Sequence, residues 1–333
     1  MTERPRVAQL QVSYAPAPAL EQVLRQPDVL AVLGFAAGPT PPASPDPRYF
    51  QVGLAPLSGP VIEVWRGTGP VTHGRDDDGV QWASDGELLF GAVQIAEDPA
   101  GGIVPASQQI YRQLDAHLAR HGYPHLLRVW NYLDAIVDGD GDQERYRQFC
   151  IGRANGIGAI DTRILPAATA IGRVDGVRTV QVYWLAARQP GRPLENPRQV
   201  SAYRYPRQYG PQPPSFARAM LPAAGQRLPL LLSGTASVVG HATLHAQCTT
   251  AQLQETFANF QALISTAQAQ QPDLPAAFGA HSPLKVYLRD PAELAQVQQA
   301  LATHLDAAVP RLILHAQVCR PDLRVEIDGA YGT

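Results

Sequence analysis

Residues 313–330 read ILHAQVCRPDLRVEIDGA, and residues 170–186 read AIGRVDGVRTVQVYWLA. Each stretch is an apolar run, a polar turn, and a second run in which apolar and polar side chains alternate, as in VQVYW and LRVEI. That alternation has the two-residue period of a strand with one buried face. Both stretches therefore read as strand, turn, strand.

The sequence before each tail repeats as well. In the first copy ELLFGAVQIA (87–96) reads as a strand. A helix over 107–121 follows, with Ile110, Leu114 and Leu118 on one face and Gly122 at its C-terminal cap. LRVWNYL (127–133) is a second strand. In the second copy LPLLLSGTASVV (228–239) reads as a strand, and residues 249–264 as a helix with Leu253, Phe257, Phe260 and Ile264 along one side. Thr249 and Gln252 have the spacing of a capping box. LKVYL (284–288) matches LRVWNYL, and AELAQVQQALATHL (292–305) adds a helix. Matched order and length point to an internal duplication in an α+β chain of mixed sheets packed by helices. The units run over 84–190 and 228–333, with 191–227 as a connecting segment rich in Arg and Tyr. Residues 1–83 form a Pro-rich N-terminal portion. Within it GPTPPASPDPR (38–48) reads as an exposed loop, flanked by short strands at Val29–Phe35 and 61–65.

The chain has 333 residues, of which 45% are hydrophobic, enough for about two domains. With 27 basic and 29 acidic residues and no basic stripe, composition gives no reason to expect a nucleic acid or an anionic membrane as partner. Cys150, Cys248 and Cys319 are too far apart for a zinc ribbon or a disulfide framework. The N-terminus shows no apolar signal segment and no run reaches membrane-spanning length, so a cytoplasmic location is expected.

Three stretches suit chemistry. If residues 323–327 are a strand, Leu323, Val325 and Ile327 share one face and Arg324, Glu326 and Asp328 the other. Lodged in a crevice, Glu326 would have its pKa raised by desolvation, as a general acid requires; the plainer reading is a solvated acidic face. ERYRQFCIGR (144–153) and SAYRYPRQYGPQPPSFARA (201–219) are dense in Arg and Tyr, which suits a small planar anion or a surface loop. LSGTASVVG (232–240) offers Ser233, Thr235 and Ser237 to an oxyanion. Asp138, Asp140 and Asp142 imitate a calcium loop but lack its Gly and Glu positions. His117, His121 and His125 repeat every four residues, as do His241 and His245. The first set runs off its helix at Gly122, and no carboxylate ligand is expected beside it, so no metal is expected. The glycines near Arg153 lack a P-loop lysine.

The strand–helix–strand units ending in VEIDGA resemble the RutC/YjgF (RidA-like) fold. Two such units in one chain, with RVWNY (128–132), ERYRQFCIGR, YRYPRQYGPQPPSFARA (203–219) and SGTAS (233–237), resemble the chorismatase family more closely. The resemblance extends over most of the chain beyond about Asp85. It implies that Glu326 protonates the enolpyruvyl methylene of chorismate and that pyruvate is released. It further implies that Arg153 and Arg218 hold carboxylates, that Tyr146, Tyr205 and Tyr209 line the pocket, and that Ser233, Gly234 and Thr235 shape its ring side. Cys319 matches the subclass that makes 3-hydroxybenzoate rather than a dihydroxycyclohexadiene carboxylate. Leu232, where that subclass has a small residue, points to additional 4-hydroxybenzoate. No metal or organic cofactor is expected, and the N-terminal portion would complete a pseudo-threefold monomer. The alternatives are a chorismate hydrolase, an enamine or imine deaminase on the same fold, and a non-catalytic binder of an aromatic acid.

Overall fold

The computed structural model describes residues 7–38, 42–59, 61–159 and 161–332. The N-terminal portion holds β1 (Gln11–Pro16), α1 (Leu20–Leu24), β2 (Val29–Phe35), β3 (Tyr49–Val52), β4 (Ala55–Pro56) and β5 (Val61–Arg66). Next come β6 (Thr72–Arg75), β7 (Gln81–Ser84), β8 (Leu88–Ala96), α2 (Ile103–His121), β9 (His125–Asp134), α3 (Arg145–Ile157), β10 (Ala167–Arg173) and β11 (Thr179–Ala187). The last part contains β12 (Arg192–Leu194), β13 (Ala219–Leu221), β14 (Leu230–Ala236), β15 (Val238–Val239), β16 (Ala242–Thr243) and α4 (Thr249–Gln268). It ends with β17 (Leu284–Leu288), α5 (Leu294–His304), β18 (Arg311–His315), β19 (Gln317–Val318) and β20 (Val325–Tyr331).

These strands form the mixed α+β architecture expected. One sheet runs β1-β5-β2-β3, a second β19-β10-β9-β11-β8-β7-β6, and a third β12-β13-β14-β20-β17-β18-β4. Every residue of β2 is buried, because both its faces are covered. Val29 and Val32 pack under α1, whereas Leu30, Leu33 and Phe35 enter a core shared by all three sheets. Trp65, Trp130, Tyr183 and Tyr287 meet in that core, with Trp130 and Tyr183 stacked at 4.7 Å. The helices α4 and α5 close a separate core over the third sheet, and α2 with α3 close another over the second.

Some elements depart from the sequence reading. The hairpin β6–β7 pairs with β8 in the second sheet, although all of its residues but Ser84 lie within 1–83. The strands β12 and β13, from the connecting segment, form the edge of the third sheet. Two short strands cross between units: β19 pairs with β10, and β4 with β18. Residues 39–41 of the Pro-rich loop lie outside the described residues, and its remainder holds no regular element. Gly122 ends α2 as expected, at φ +72° with its N–H on Leu118 O. The capping box does not form: Cys248 is the N-cap, Thr249 Oγ1 donates to Glu293, and Gln252 Nε2 binds the carbonyls of Asp322 and His245. The helix α3, not read as an element from sequence, crosses α2 closely. A Cβ at Gly152 would run into Val104 O and one at Gly156 into Gln108 O, so only glycine fits at these two contacts.

Candidate active site

The strand β20 runs between β14 and β17, and Glu326 lies opposite Ala236 on one side and Tyr287 on the other. Val325 and Ile327 point into the third-sheet core, so alternation turns Glu326 and Asp328 to the opposite face. That face is not solvated: Glu326 is 5% exposed and Asp328 fully buried. Glu326 opens on a cavity of about 520 Å³ between the second and third sheets, within the size range of small-molecule sites. A register shift in β14 between Leu232 and Thr235 brings Gly234 against the carboxyl. Burial first, and then the charge of Asp328, push the Glu326 pKa up to about 8, against a smaller opposing pull from Arg128, Arg218 and Arg320. The group is thus mostly a neutral carboxylic acid at neutral pH, able to donate a proton.

The facing wall comes from α3 and from residues 199–218. Tyr146, Phe149, Cys150 and Arg153 project from α3, and Tyr205, Tyr209, Phe216 and Arg218 from the second segment. Arg218 is 6% exposed; its Nη2 donates to Tyr205 OH at 2.8 Å and to Val200 O at 2.9 Å. Arg153 is 5% exposed and stands 5.1 Å over the Tyr111 ring. The Nε of each guanidinium is buried without a protein partner. Two buried cations on one cavity, framed by aromatic faces, suit a planar ligand bearing carboxylates. Cys319 lies on the same cavity; burial, reinforced by Glu326, pushes its thiol pKa up, so it is a neutral thiol and not a thiolate nucleophile. Burial raises Cys150 to about 12 and Tyr146 well above its ordinary value.

Comparison with known proteins bears on the family and the fold. Residues 63–186 match the family described as "Chorismatase FkbO/Hyg5-like, N-terminal". A chorismatase of Streptomyces rapamycinicus is 35% identical over 275 residues, covering 80% of this chain and 81% of the relative. The chain belongs to the chorismatase family. A 3-hydroxybenzoate synthase of Streptomyces hygroscopicus is 36% identical over 286 residues, 83% of each chain. A crystal structure of a chorismatase superposes with a TM-score of 0.87 at 30% identity, covering 99% of this chain and all of that one.

Within this chorismatase, eight of the residues singled out by sequence meet on one cavity: Glu326, Cys319, Tyr146, Arg153, Tyr205, Tyr209, Arg218 and Gly234. Four do not line it, among them Ser237, whose Oγ donates to Leu244 O at 2.9 Å. Leu232 is fully buried in the third-sheet core, facing away because it precedes the register shift. Ser233 is spent on Ala168 N and Ala217 O, and Thr235 Oγ1 binds Ser233 O, so both fasten β14. Arg320 was missed, although it follows Cys319. It lies 4.2 Å over the Tyr209 ring and donates to His241 O, closing the cavity mouth. Arg147, Thr169 and Phe216 also line the cavity and were missed.

The histidine reading needs correction. Folding brings a carboxylate to the helical pair: Asp76 lies 2.9 Å from His117 Nδ1 and 3.3 Å from His121 Nε2, donors of a kind that could hold a metal ion. Arg120 already pairs with Asp76, so the group reads as an ion-paired clasp holding the β6–β7 hairpin on α2, remote from the cavity. Asp142 of the false calcium loop pairs with Arg207 at 2.5 Å, tying that loop to the Tyr205–Tyr209 segment. Among the described residues no helix is long and apolar enough to cross a membrane.

Proposed function

We propose that the protein cleaves chorismate to pyruvate and 3-hydroxybenzoate, with Glu326 as the acid. The supporting observation is a buried carboxyl, mostly protonated at neutral pH, opening on an arginine-lined cavity. Arg153 and Arg218 hold the two carboxylates, and Tyr146, Tyr205 and Tyr209 frame the ring. Held there, the enolpyruvyl methylene receives the Glu326 proton. The ether carbon becomes an oxocarbenium centre, stabilised by the carboxylate just formed. The ring hydroxyl then displaces the pyruvyl oxygen within the molecule, pyruvate leaves with its new methyl group, and aromatisation returns a proton to Glu326. Substrate and products balance without water, so a site that excludes water favours this route over hydrolysis. Cys319, a neutral and weakly polar neighbour of Glu326, helps keep water from the cation.

The expectation of 4-hydroxybenzoate rested on Leu232, whose side chain is in the core, so that support falls away. The test is to incubate the protein with chorismate, follow pyruvate through coupled NADH loss, and resolve ring products by chromatography. Pyruvate with 3-hydroxybenzoate is expected. No pyruvate would refute the activity, and pyruvate with a dihydroxycyclohexadiene acid alone would replace the synthase reading by a hydrolase.

A further inference from the structure

Behind the cavity wall lies a set of charges that does not line it. Asp328, two residues beyond Glu326 on the same face of β20, is fully buried. Its Oδ2 accepts hydrogen bonds from Thr169 Oγ1 at 2.8 Å, Tyr287 OH at 2.9 Å and Trp130 Nε1 at 3.0 Å, and lies 3.3 Å from Arg128 Nη2. Its Oδ1 lies 3.6 Å from Lys285 Nζ. Lys285 in turn pairs at 2.8 Å with Glu63 of β5, in the N-terminal sheet, whose other oxygen accepts from Trp65 Nε1 at 2.7 Å. None of these four charged side chains is more than 3% exposed. Thr169 links them to the cavity, since it lines the cavity and also receives a hydrogen bond from Arg128.

We propose that this buried quartet of Arg128, Asp328, Lys285 and Glu63 sets the protonation state of Glu326, and that Glu63 is a positioning residue for chemistry it never touches. The inference rests on Glu326 being the acid. Two cations and two anions balance, so an ionised Glu326 beside them is an unmatched fifth charge in a medium where such a charge is costly. From the cavity side Glu326 faces Arg218 and Arg320, with the Cys319 thiol and the Tyr146 phenol. A bound dicarboxylate engages the cavity cations, leaving the quartet to decide whether Glu326 keeps its proton. Burial works against the Lys285 ammonium, but Asp328 and Glu63 more than offset it and raise its pKa, which holds the quartet charged.

The test is the alkaline limb of kcat, which reports the acid in the substrate complex. Glu63→Gln keeps an acceptor for Trp65 but leaves the quartet with a net positive charge. Glu326 then ionises more readily, and the limb moves to lower pH by roughly half a unit to one unit. Glu63→Gln with Lys285→Met restores the balance and returns the limb toward wild type. A purely structural role predicts the reverse, with the double variant more damaged than the single. Asp328→Asn moves the limb in the same direction as Glu63→Gln by about one unit or more, and decides the matter if Glu63→Gln does not fold. An unmoved limb in a folded Glu63→Gln or Asp328→Asn variant, or a double variant displaced as far as the single, overturns the proposal. Glu326→Gln separates the two layers. Full activity there removes the acid itself, whereas an inactive Glu326→Gln beside an unmoved limb removes only the role of the quartet.

Discussion

Gly234 and Glu326 are packed so closely that a Cβ built on the glycine would overlap Oε1 of the carboxyl. The register shift in β14 creates this approach, and Ser233 and Thr235 fasten it on either side. Gly234→Ala therefore has to displace Glu326. A displacement of about 1 Å costs on the order of a hundredfold in rate, so kcat should fall by about that factor while KM stays near wild type. Steady-state kinetics with product chromatography checks this; an unaltered kcat and product pattern would show that the carboxyl tolerates the methyl group.

Glu326→Gln is expected to abolish pyruvate release while retaining affinity for the product, measured by calorimetry. It should also change stability with a definite sign. The folded pKa of Glu326 is about 8 against an ordinary 4.5, so the folded state binds the proton more tightly than the unfolded chain. Stability from this group is complete at acid pH and is lost as pH rises through 8. The amide has no charge to bury, so Glu326→Gln should be more stable than wild type above that pH, by roughly a few kcal/mol at most, and should melt at a higher temperature. Melting curves that run parallel at acid and alkaline pH would contradict the assignment.

The pH profile of the wild type follows from the same group. With Glu326 as the proposed acid, activity needs the protonated form, so kcat/KM should hold steady through neutral pH and decline tenfold per unit above about 8. A rate that rises with pH through this region would mean that the active form is the carboxylate.

Arg218 is buried, and its planar fork already serves Tyr205 and Val200. Arg218→Ala should weaken substrate binding by about 2–5 kcal/mol, the range for one partner of a buried charged pair. Arg218→Lys should rescue little of it, because an ammonium cannot reproduce the fork. Wild-type KM in either variant would place the carboxylate elsewhere.

Cys319→Ala enlarges the cavity beside Glu326 by about one sulfur atom and admits water nearer the cation. The ring products should shift toward the dihydroxycyclohexadiene acid, with pyruvate release maintained. Because the thiol pKa is raised, the wild-type product ratio should not change across neutral pH. A ratio unaffected by the substitution would reduce Cys319 to packing.

What the sequence disclosed depended on periodicity. The two tails alternate because each has a strand with one face on a core, so Glu326 could be set on the face opposite Val325 and Ile327, but alternation alone did not tell a crevice from a solvated face. The helix α3 carried no such stripe: it presents Tyr146 and Arg153 to the cavity, so polar side chains occupy a face a periodic reading expects to be apolar. The strands β4 and β19 are two residues each, too short for any pattern. Leu232 was misplaced because a register shift is a tertiary event, invisible in LSGTAS. Arg320 stood beside a recognised cysteine, but only the turn that lays it on Tyr209 gives it a place at the mouth. Asp76 reached the histidines across a distance of 41 residues that no local reading spans.

The crossing of β19 onto β10 governs how this enzyme can move. Cys319 and Arg320 follow directly from a strand stitched to the neighbouring unit through Ile171 and Gly172. Prising the units apart would break that seam and withdraw both residues from beside Glu326, so opening as a clamshell is incompatible with an intact site. The short turns around Tyr205 and Tyr209 are held by lighter contacts, to Arg320 and His241, and are the parts that could move while that seam stays intact. On the proposed reading, Glu326, Arg153 and Arg218 already share one cavity before the ligand arrives, and admission rather than closure is the event that a good inhibitor would have to win.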